Sequence, residues 1–270
     1  MDRLETIRTL IGTLLEELPA YRDWAEAFPG DLVSQRRLLR GLMNLRPPMP
    51  LRPAFLALQD SLLSAEREER SVVKGEALPV IAAQPRAALW RGDITRLRVD
   101  GIVNAANDQL LGCFVPCHGC IDNAIHSAAG LQLREECRLL MERQGHPEPN
   151  GRAKLTRGYN LPARYVLHTV GPIVRGRVTR RDREELAGCY RSCLTLAAER
   201  GLSSVAFCCI STGEFRFPQE EAAAIAVETV MDVLRRDTSI RKVIFNVFRE
   251  SDLRIYRDLL GPDQPAAGRP

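Results

Sequence analysis

From about residue 72 the chain alternates short β-branched runs with helical patterns, and this alternation restricts its fold more than any other feature. The runs "AALWRGDIT" and "DGIVNAAN" read as strands ending in polar turns, and residues 121–143 as one helix. Next come a strand, "RYVLHTVGP", a helix over 181–200 and a buried strand, "SSVAFCCIS". A helix over 218–236 has Pro218 in its first turn; a strand, "RKVIFNVF", and a helix over 251–260 follow. Strands separated by helices return through crossovers rather than hairpins. The pattern therefore predicts an α/β fold with a mainly parallel sheet covered on both faces.

The residues before this pattern read differently. Leu4, Ile7, Ile11, Leu14 and Leu18 recur at spacings of three and four, which makes one apolar stripe on a helix that Pro19 stops. A second helix, "SQRRLLRGLMNL", carries Leu38, Leu39, Leu42 and Met43 and is broken by "RPPMPLRP". A third, over 53–70, places Phe55, Leu58 and Leu62 on one side. The expected organisation is an N-terminal helical extension over 1–72, an α/β domain over 73–262 and a disordered tail over 263–270. A hydrophobic share of 45% and a charged share of 27% suit a globular chain. The net charge of +4 is small and the basic residues are scattered without a stacking surface, which argues against a nucleic-acid partner. No run of about 18 uncharged apolar residues argues for a membrane span. The charged N-terminus lacks the apolar core of a signal peptide, so the expected location is cytoplasmic. In a reducing compartment the eight cysteines are poor disulfide candidates and better ligands.

In an open α/β sheet, ligands bind beyond the carboxyl ends of the strands. The segments there are "GDIT", "NAAN", "HTVGP", "STGEF" and the residues after "FNVF". Several are rich in small residues and amides, as a phosphate-bearing ligand requires, because backbone N–H groups must approach it closely. After "NAAN" stands "GCFVPCHGC", with three cysteines and a histidine within residues 113–120. Cys113, His118 and Cys120 can close around one zinc ion and leave a fourth position for water or substrate. Two other readings fit the spacing: a structural zinc closed by Cys117, or unligated thiols with Cys117 and Cys120 as a redox pair. Cys137, Cys189, Cys193, Cys208 and Cys209 lie in helical or apolar strand runs and read as core.

"GDIT", "VNAAN", the cysteine loop running into "DNAIHSAAG", "HTVGP" and "ISTGEFRFP" together resemble a macrodomain, over roughly residues 86–260. The cysteine loop stands where most macrodomains carry glycines. In this it resembles the zinc-containing bacterial and fungal macrodomains, which act as protein-ADP-ribose hydrolases. The resemblance implies a three-layer α/β/α fold with a mixed, mainly parallel sheet, and Zn2+ held by Cys113, His118 and Cys120. It implies a mono-ADP-ribosylated protein as substrate, modified on an acidic residue, with cleavage at C1″ of the distal ribose and release of free ADP-ribose. Neither a nucleic acid nor a membrane is implied as partner. Asp93 would read the adenine amino group, Ile94 would line that pocket, and Asn104 and Asn107 would sit near the distal ribose. Asp122 would orient a water or a ribose hydroxyl, with Asn107 and Cys120 sharing the catalytic role and Ile121 bordering the ligand. Ser211, Thr212, Gly213, Glu214 and Phe215 would wrap the diphosphate, Gly213 permitting the turn and Glu214 pointing away from the phosphates. His126 and His168 would be structural, and Asn246 and Phe248 would border the adenine. The alternative is a module that binds ADP-ribose without cleaving anything. It would keep "GDIT" and "STGEF" but would not need an open metal site.

Overall fold

The computed structural model describes residues 2–236, 238–261 and 263–264. It opens with helices α1 (Arg3–Glu17), α2 (Arg22–Glu26), α3 (Leu32–Leu45) and α4 (Pro53–Glu69). Asp2 and Asp31 cap α1 and α3 by accepting from backbone N–H groups of the first turn. The helices bury one stripe each: Ile7, Leu10 and Leu14 of α1 meet Leu38, Leu39 and Leu42 of α3 and Phe55, Leu62 and Leu63 of α4. Leu131, from far along the chain, enters the same cluster.

Next come β1 (Val73–Lys74), β2 (Val80–Ile81), β3 (Ala87–Arg91), β4 (Leu97–Arg98) and β5 (Gly101–Ala105), then α5 (Ile121–Ala129) and α6 (Leu131–Gln144). β6 (Ala153–Arg157), β7 (Tyr165–Thr169), α7 (Arg180–Glu199), β8 (Ser204–Phe207), α8 (Gln219–Arg235), β9 (Lys242–Val247), α9 (Glu250–Leu260) and β10 (Asp263–Gln264) complete the chain. The main sheet has six strands in the order β3-β9-β8-β5-β7-β6, parallel except for β6 against β7. Successive residues of β7 show the two covered faces. His168 lies against Cys137 of α6, while Thr169 lies against Cys189 of α7. α7, α8 and α9 pack in series, and α5 packs on β5 and against α3. The fold is thus the three-layer α/β/α sandwich that the alternating pattern predicts.

Three local expectations change. The single helix over 121–143 is two helices, broken at Gly130, whose φ of 98° a side chain rarely adopts. β6 has no counterpart among the expected strands: "AKLTR" is a half-buried edge strand whose mixed polarity hides it. The expected disordered tail begins with two ordered residues, Asp263 and Gln264, which pair antiparallel with Val80 and Ile81. Residues 265–270 of that tail lie outside the described residues. No helix among the described residues is long and apolar enough to cross a membrane.

Candidate active site

The strand ends bring the expected segments to one edge of the sheet. Gly92 N–H donates to Val247 O, so Asp93, just past β3, and Phe248, just past β9, are neighbours there. Asp93 caps the short 3₁₀ turn that follows, its Oδ1 accepting from Thr95 N–H at 2.9 Å and Thr95 Oγ1 at 2.7 Å. Among the described residues its Oδ2 has no hydrogen-bond partner, so one carboxylate oxygen remains for an exocyclic amine. Ile94 is buried below it and can offer only a wall. Phe248 is 76% exposed, an unusual position for a phenyl ring beside a polar turn. Asn246 does not border an open pocket as expected. It is buried, and its amide donates to Gly92 O at 2.9 Å and Trp90 O at 3.4 Å, tying β9 to the end of β3.

Past β8, residues 211–217 fold back on themselves. Phe217 N–H donates to Ser211 O at 2.9 Å, Arg216 N–H to Gly213 O at 3.0 Å, and Thr212 Oγ1 to Cys209 O at 3.0 Å. Among the described residues, the N–H groups of Thr212, Gly213, Glu214 and Phe215 have no partner. Grouped unpaired N–H donors are the chemistry of an anion cradle. The expected role of Gly213 as the turn-maker is not what the backbone shows. The left-handed positions are Ser211 (φ 64°) and Arg216 (φ 57°), and a Cβ at Gly213 would meet no atom within 4 Å. The glycine the loop needs is Gly171, where a Cβ would lie 2.0 Å from Ser211 Oγ. Phe215 is half-buried and rests on the main core. Glu214 reaches across to His118, with Oε1 3.6 Å from Nε2.

Cys113, His118 and Cys120 come together, their ligand atoms all within 4.8 Å of one another. Cys113 Sγ and His118 Nδ1 are 3.6 Å apart. A tetrahedral zinc, about 2.3 Å from sulfur and about 2.0–2.1 Å from nitrogen, would hold such a pair about 3.5–3.6 Å apart. The two thiols and one imidazole therefore fit zinc in donor type and in separation. Burial pushes the Cys120 thiol up to about 12, with Cys113 and Asp122 adding to the shift; a bound cation would act in the opposite sense and favour the thiolate. Cys120 also caps α5, its Sγ accepting from Asn123 N–H at 3.4 Å. Cys117 is excluded from the set. Its Sγ donates to Arg37 O of α3 at 3.3 Å, which rules out both a Cys117-closed ion and a Cys117–Cys120 pair in this geometry.

Asp122, two residues into α5, is buried and bound by two asparagines. Asn104 Nδ2 donates to Oδ1 at 2.8 Å and Asn107 Nδ2 to Oδ2 at 3.3 Å. Burial pushes its carboxyl up to about 6, against the opposing pull of Asn104 and Arg134. Asn104 was expected beside the distal ribose. It is instead fully buried, and its amide also lies 3.2 Å from His168 Nδ1, so it supports Asp122 rather than facing a sugar. Asn107 is half-buried and also donates to Gly112 O at 3.1 Å, which joins Asp122 to the start of the cysteine loop. Ile121 is half-buried at the first position of α5.

Behind Asp122 lies a buried polar group that includes His126 and His168. His126 Nε2 is 3.5 Å from Asp122 Oδ1, and neither ring nitrogen of His126 is hydrogen-bonded. His168 Nε2 lies 2.9 Å from Thr156 Oγ1 and 3.7 Å from Cys137 Sγ. Burial lowers both imidazoles, His168 to about 3, and His168 and Arg134 push His126 down further, so both rings are neutral. The sequence did carry one signal for this cluster: His126 is four residues after Asp122, hence on the same helix face. His126 also supports the loop, because a Cβ at Gly112 (φ 80°) would lie 2.9 Å from its ring.

Residues 103–226 match the model of the Macro domain. The chain is 49% identical to a protein-ADP-ribose hydrolase of Treponema medium, over 93% of this chain and 96% of that protein. It is 43% identical to a protein-ADP-ribose hydrolase of Staphylococcus aureus strain Mu50, over 97% of this chain and 99% of that protein. Among solved structures, a Trypanosoma brucei macrodomain in complex with ADP-ribose superposes with a TM-score of 0.64. It is 35% identical, and the match covers 82% of this chain and 95% of that one.

Proposed function

The chain belongs to the macrodomain family and is a protein-ADP-ribose hydrolase, and we propose that it removes single ADP-ribose groups from acidic side chains with the help of zinc. The observation that carries this reading is the convergence of Cys113, His118 and Cys120 beside the buried Asp122, at the sheet edge that also presents the unpaired N–H groups of residues 212–215.

The chain's own residues divide the work. Asp93 Oδ2 accepts from the adenine amino group, and Phe248 covers the base. The N–H groups of Thr212, Gly213, Glu214 and Phe215 take the diphosphate, which fixes the distal ribose against the cysteine loop. Binding energy collected far from the reacting carbon is thereby spent on alignment. Asp122, held by Asn104 and Asn107, accepts a proton from a water that attacks C1″, while the bond from C1″ to the side-chain oxygen breaks and the protein's carboxylate leaves. Zinc held by Cys113, His118 and Cys120 would supply a Lewis acid for a distal-ribose hydroxyl. The Glu214 carboxylate lies 3.6 Å from the other nitrogen of the His118 imidazole, near enough to favour its orientation electrostatically. A cytoplasmic location keeps the thiols reduced and available as ligands. Cys120→Ala is expected to abolish release of ADP-ribose from a modified protein while ADP-ribose itself still binds in calorimetry. Normal turnover by Cys120→Ala would remove the metal from this account. A module that only binds ADP-ribose would release none even as the wild-type chain.

A further inference from the structure

The cysteine loop is held from outside the α/β sandwich. Asn44 of α3 is buried, its Oδ1 accepting from Cys117 N–H at 2.9 Å while its Nδ2 donates to Ser127 Oγ at 3.0 Å. Arg40, one turn earlier on α3, donates through Nη2 to His118 O at 3.3 Å and to Asn123 Oδ1 at 2.7 Å. Asn123 in turn donates its side-chain amide to Val115 O at 3.0 Å and its backbone N–H to Cys120 Sγ. Arg37 O, also on α3, accepts from Cys117 Sγ. Gly41 completes the contact, where a Cβ would lie 3.5 Å from Pro116 and 2.7 Å from the Trp24 ring. The loop entrance is held by Arg134, which donates to Leu111 O at 2.7 Å and lies over the Phe114 ring at 4.4 Å.

Asn44 and Arg37 bind Cys117 itself, and Arg40 binds the carbonyl of the next residue, His118. Cys117 has φ 55°, a left-handed conformation sparsely populated outside glycine and asparagine. His118 follows directly, so relaxation of Cys117 to a negative φ would swing the imidazole away from Cys113 and Cys120. We propose that Asn44 and Arg40 of the N-terminal lobe are positioning residues: Asn44 holds Cys117 in this conformation and Arg40 holds the backbone of His118, and together they aim the imidazole at the ion. This deepens the zinc reading above and rests on it. It gives the N-terminal helices a part in the reaction, although no residue of theirs touches the three ligand atoms.

The test uses the full chain as wild type, Arg40→Met, Arg40→Lys and Asn44→Leu. Two quantities are read: zinc affinity by chelator competition, with the cobalt(II) absorption spectrum as a geometric check, and amide hydrogen exchange over residues 113–120 without metal. Arg40→Met and Asn44→Leu are expected to lose on the order of 10–100-fold in zinc affinity, and Arg40→Lys less. The amide of Cys117 is expected to exchange at least tenfold faster in Asn44→Leu. A role in packing alone would lower the melting temperature without altering either quantity in the folded protein. Wild-type affinity and wild-type exchange in both Arg40→Met and Asn44→Leu would overturn the proposal. If Asn44→Leu fails to fold, Arg40→Met decides, since Arg40 is half-buried at the lobe surface. If the wild-type chain binds no zinc, the metal reading fails and the exchange data decide the loop-holding role: faster exchange upholds it, and unchanged exchange ends it.

Discussion

Asp122 and Asp93 are both acidic, but their environments assign them different work. Asp122 is buried, pushed up to about 6 and gripped by two asparagines, which suits a group that handles a proton. Asp93 is half-buried, with one oxygen committed to Thr95 and the other open to a ligand. Asp122→Asn should therefore lower kcat on the order of 10²–10⁴-fold with little change in ADP-ribose affinity. Asp93→Ala should weaken ADP-ribose binding about tenfold, near 1.4 kcal/mol, with kcat at saturation largely kept. Single-turnover release and calorimetry on both variants separate the two effects. An equal loss of binding in both would show that the carboxylates do not divide in this way. Residue type and order pointed to the strand-end segments that hold Asp93, Asp122, Cys113, His118 and Cys120, because each stands in a short motif after a strand, and the structure gathers those segments at one edge of the sheet. They did not reveal that Asn104 faces inward. A five-residue strand tells which side chains alternate, but not which face meets α5 and α6 and which meets α7.

At the scale of elements, the start of β5 is tied to the start of β8 by one carboxylate. Asp100 accepts from Ser203 N–H at 2.9 Å, Ser203 Oγ at 2.8 Å, and the N–H and Oγ of Ser204, all at the start of β8. Partial burial works to raise its pKa, but the donors of Ser203 and Ser204 win and hold it below the ordinary 3.8. A carboxylate whose folded pKa is depressed stabilises the fold above its unfolded pKa, and that stabilisation is lost as the pH falls through the folded value. Asp100→Ala should therefore cost roughly 1–3 kcal/mol at pH 7 in urea denaturation. The gap to wild type should narrow as the pH is taken below about 4. A gap independent of pH would mean that only packing was lost. Strands β3, β5, β7, β8 and β9 were readable because buried parallel strands are continuous apolar runs. The antiparallel β6 was not, since an edge strand half open to water alternates and resembles a loop. The break at Gly130 was hidden for a different reason: apolar periodicity continues across it, and only the backbone angle interrupts the helix.

Across the whole molecule, two cores are joined by Arg134 of α6. Its guanidinium is almost fully buried and donates to the carbonyls of Met43 at 3.0 Å, Asn44 at 2.9 Å and Arg46, where α3 ends. Burial lowers its pKa to about 10, still well above neutrality, so it stays charged and completes the open carbonyls of α3. Arg134→Met leaves those carbonyls unpaired and should cost about 2–5 kcal/mol, with the N-terminal lobe melting apart from the sandwich in calorimetry. A single unshifted transition would contradict this coupling. The sequence showed apolar spacings of three and four in residues 1–72 but not where that lobe docks, because beside Leu131 the docking uses Arg40, Asn44 and Arg134, polar residues that look like surface until their partners are placed. Whether Cys113, His118 and Cys120 hold a zinc ion that the reaction uses is tested by following ADP-ribose release from a mono-ADP-ribosylated protein. The chain is assayed after exhaustive chelation and again after one equivalent of Zn2+ is returned. Release is expected to fall at least a hundredfold on stripping and to recover with zinc; full turnover by protein shown to be free of metal would mean that the reaction does not use the ion.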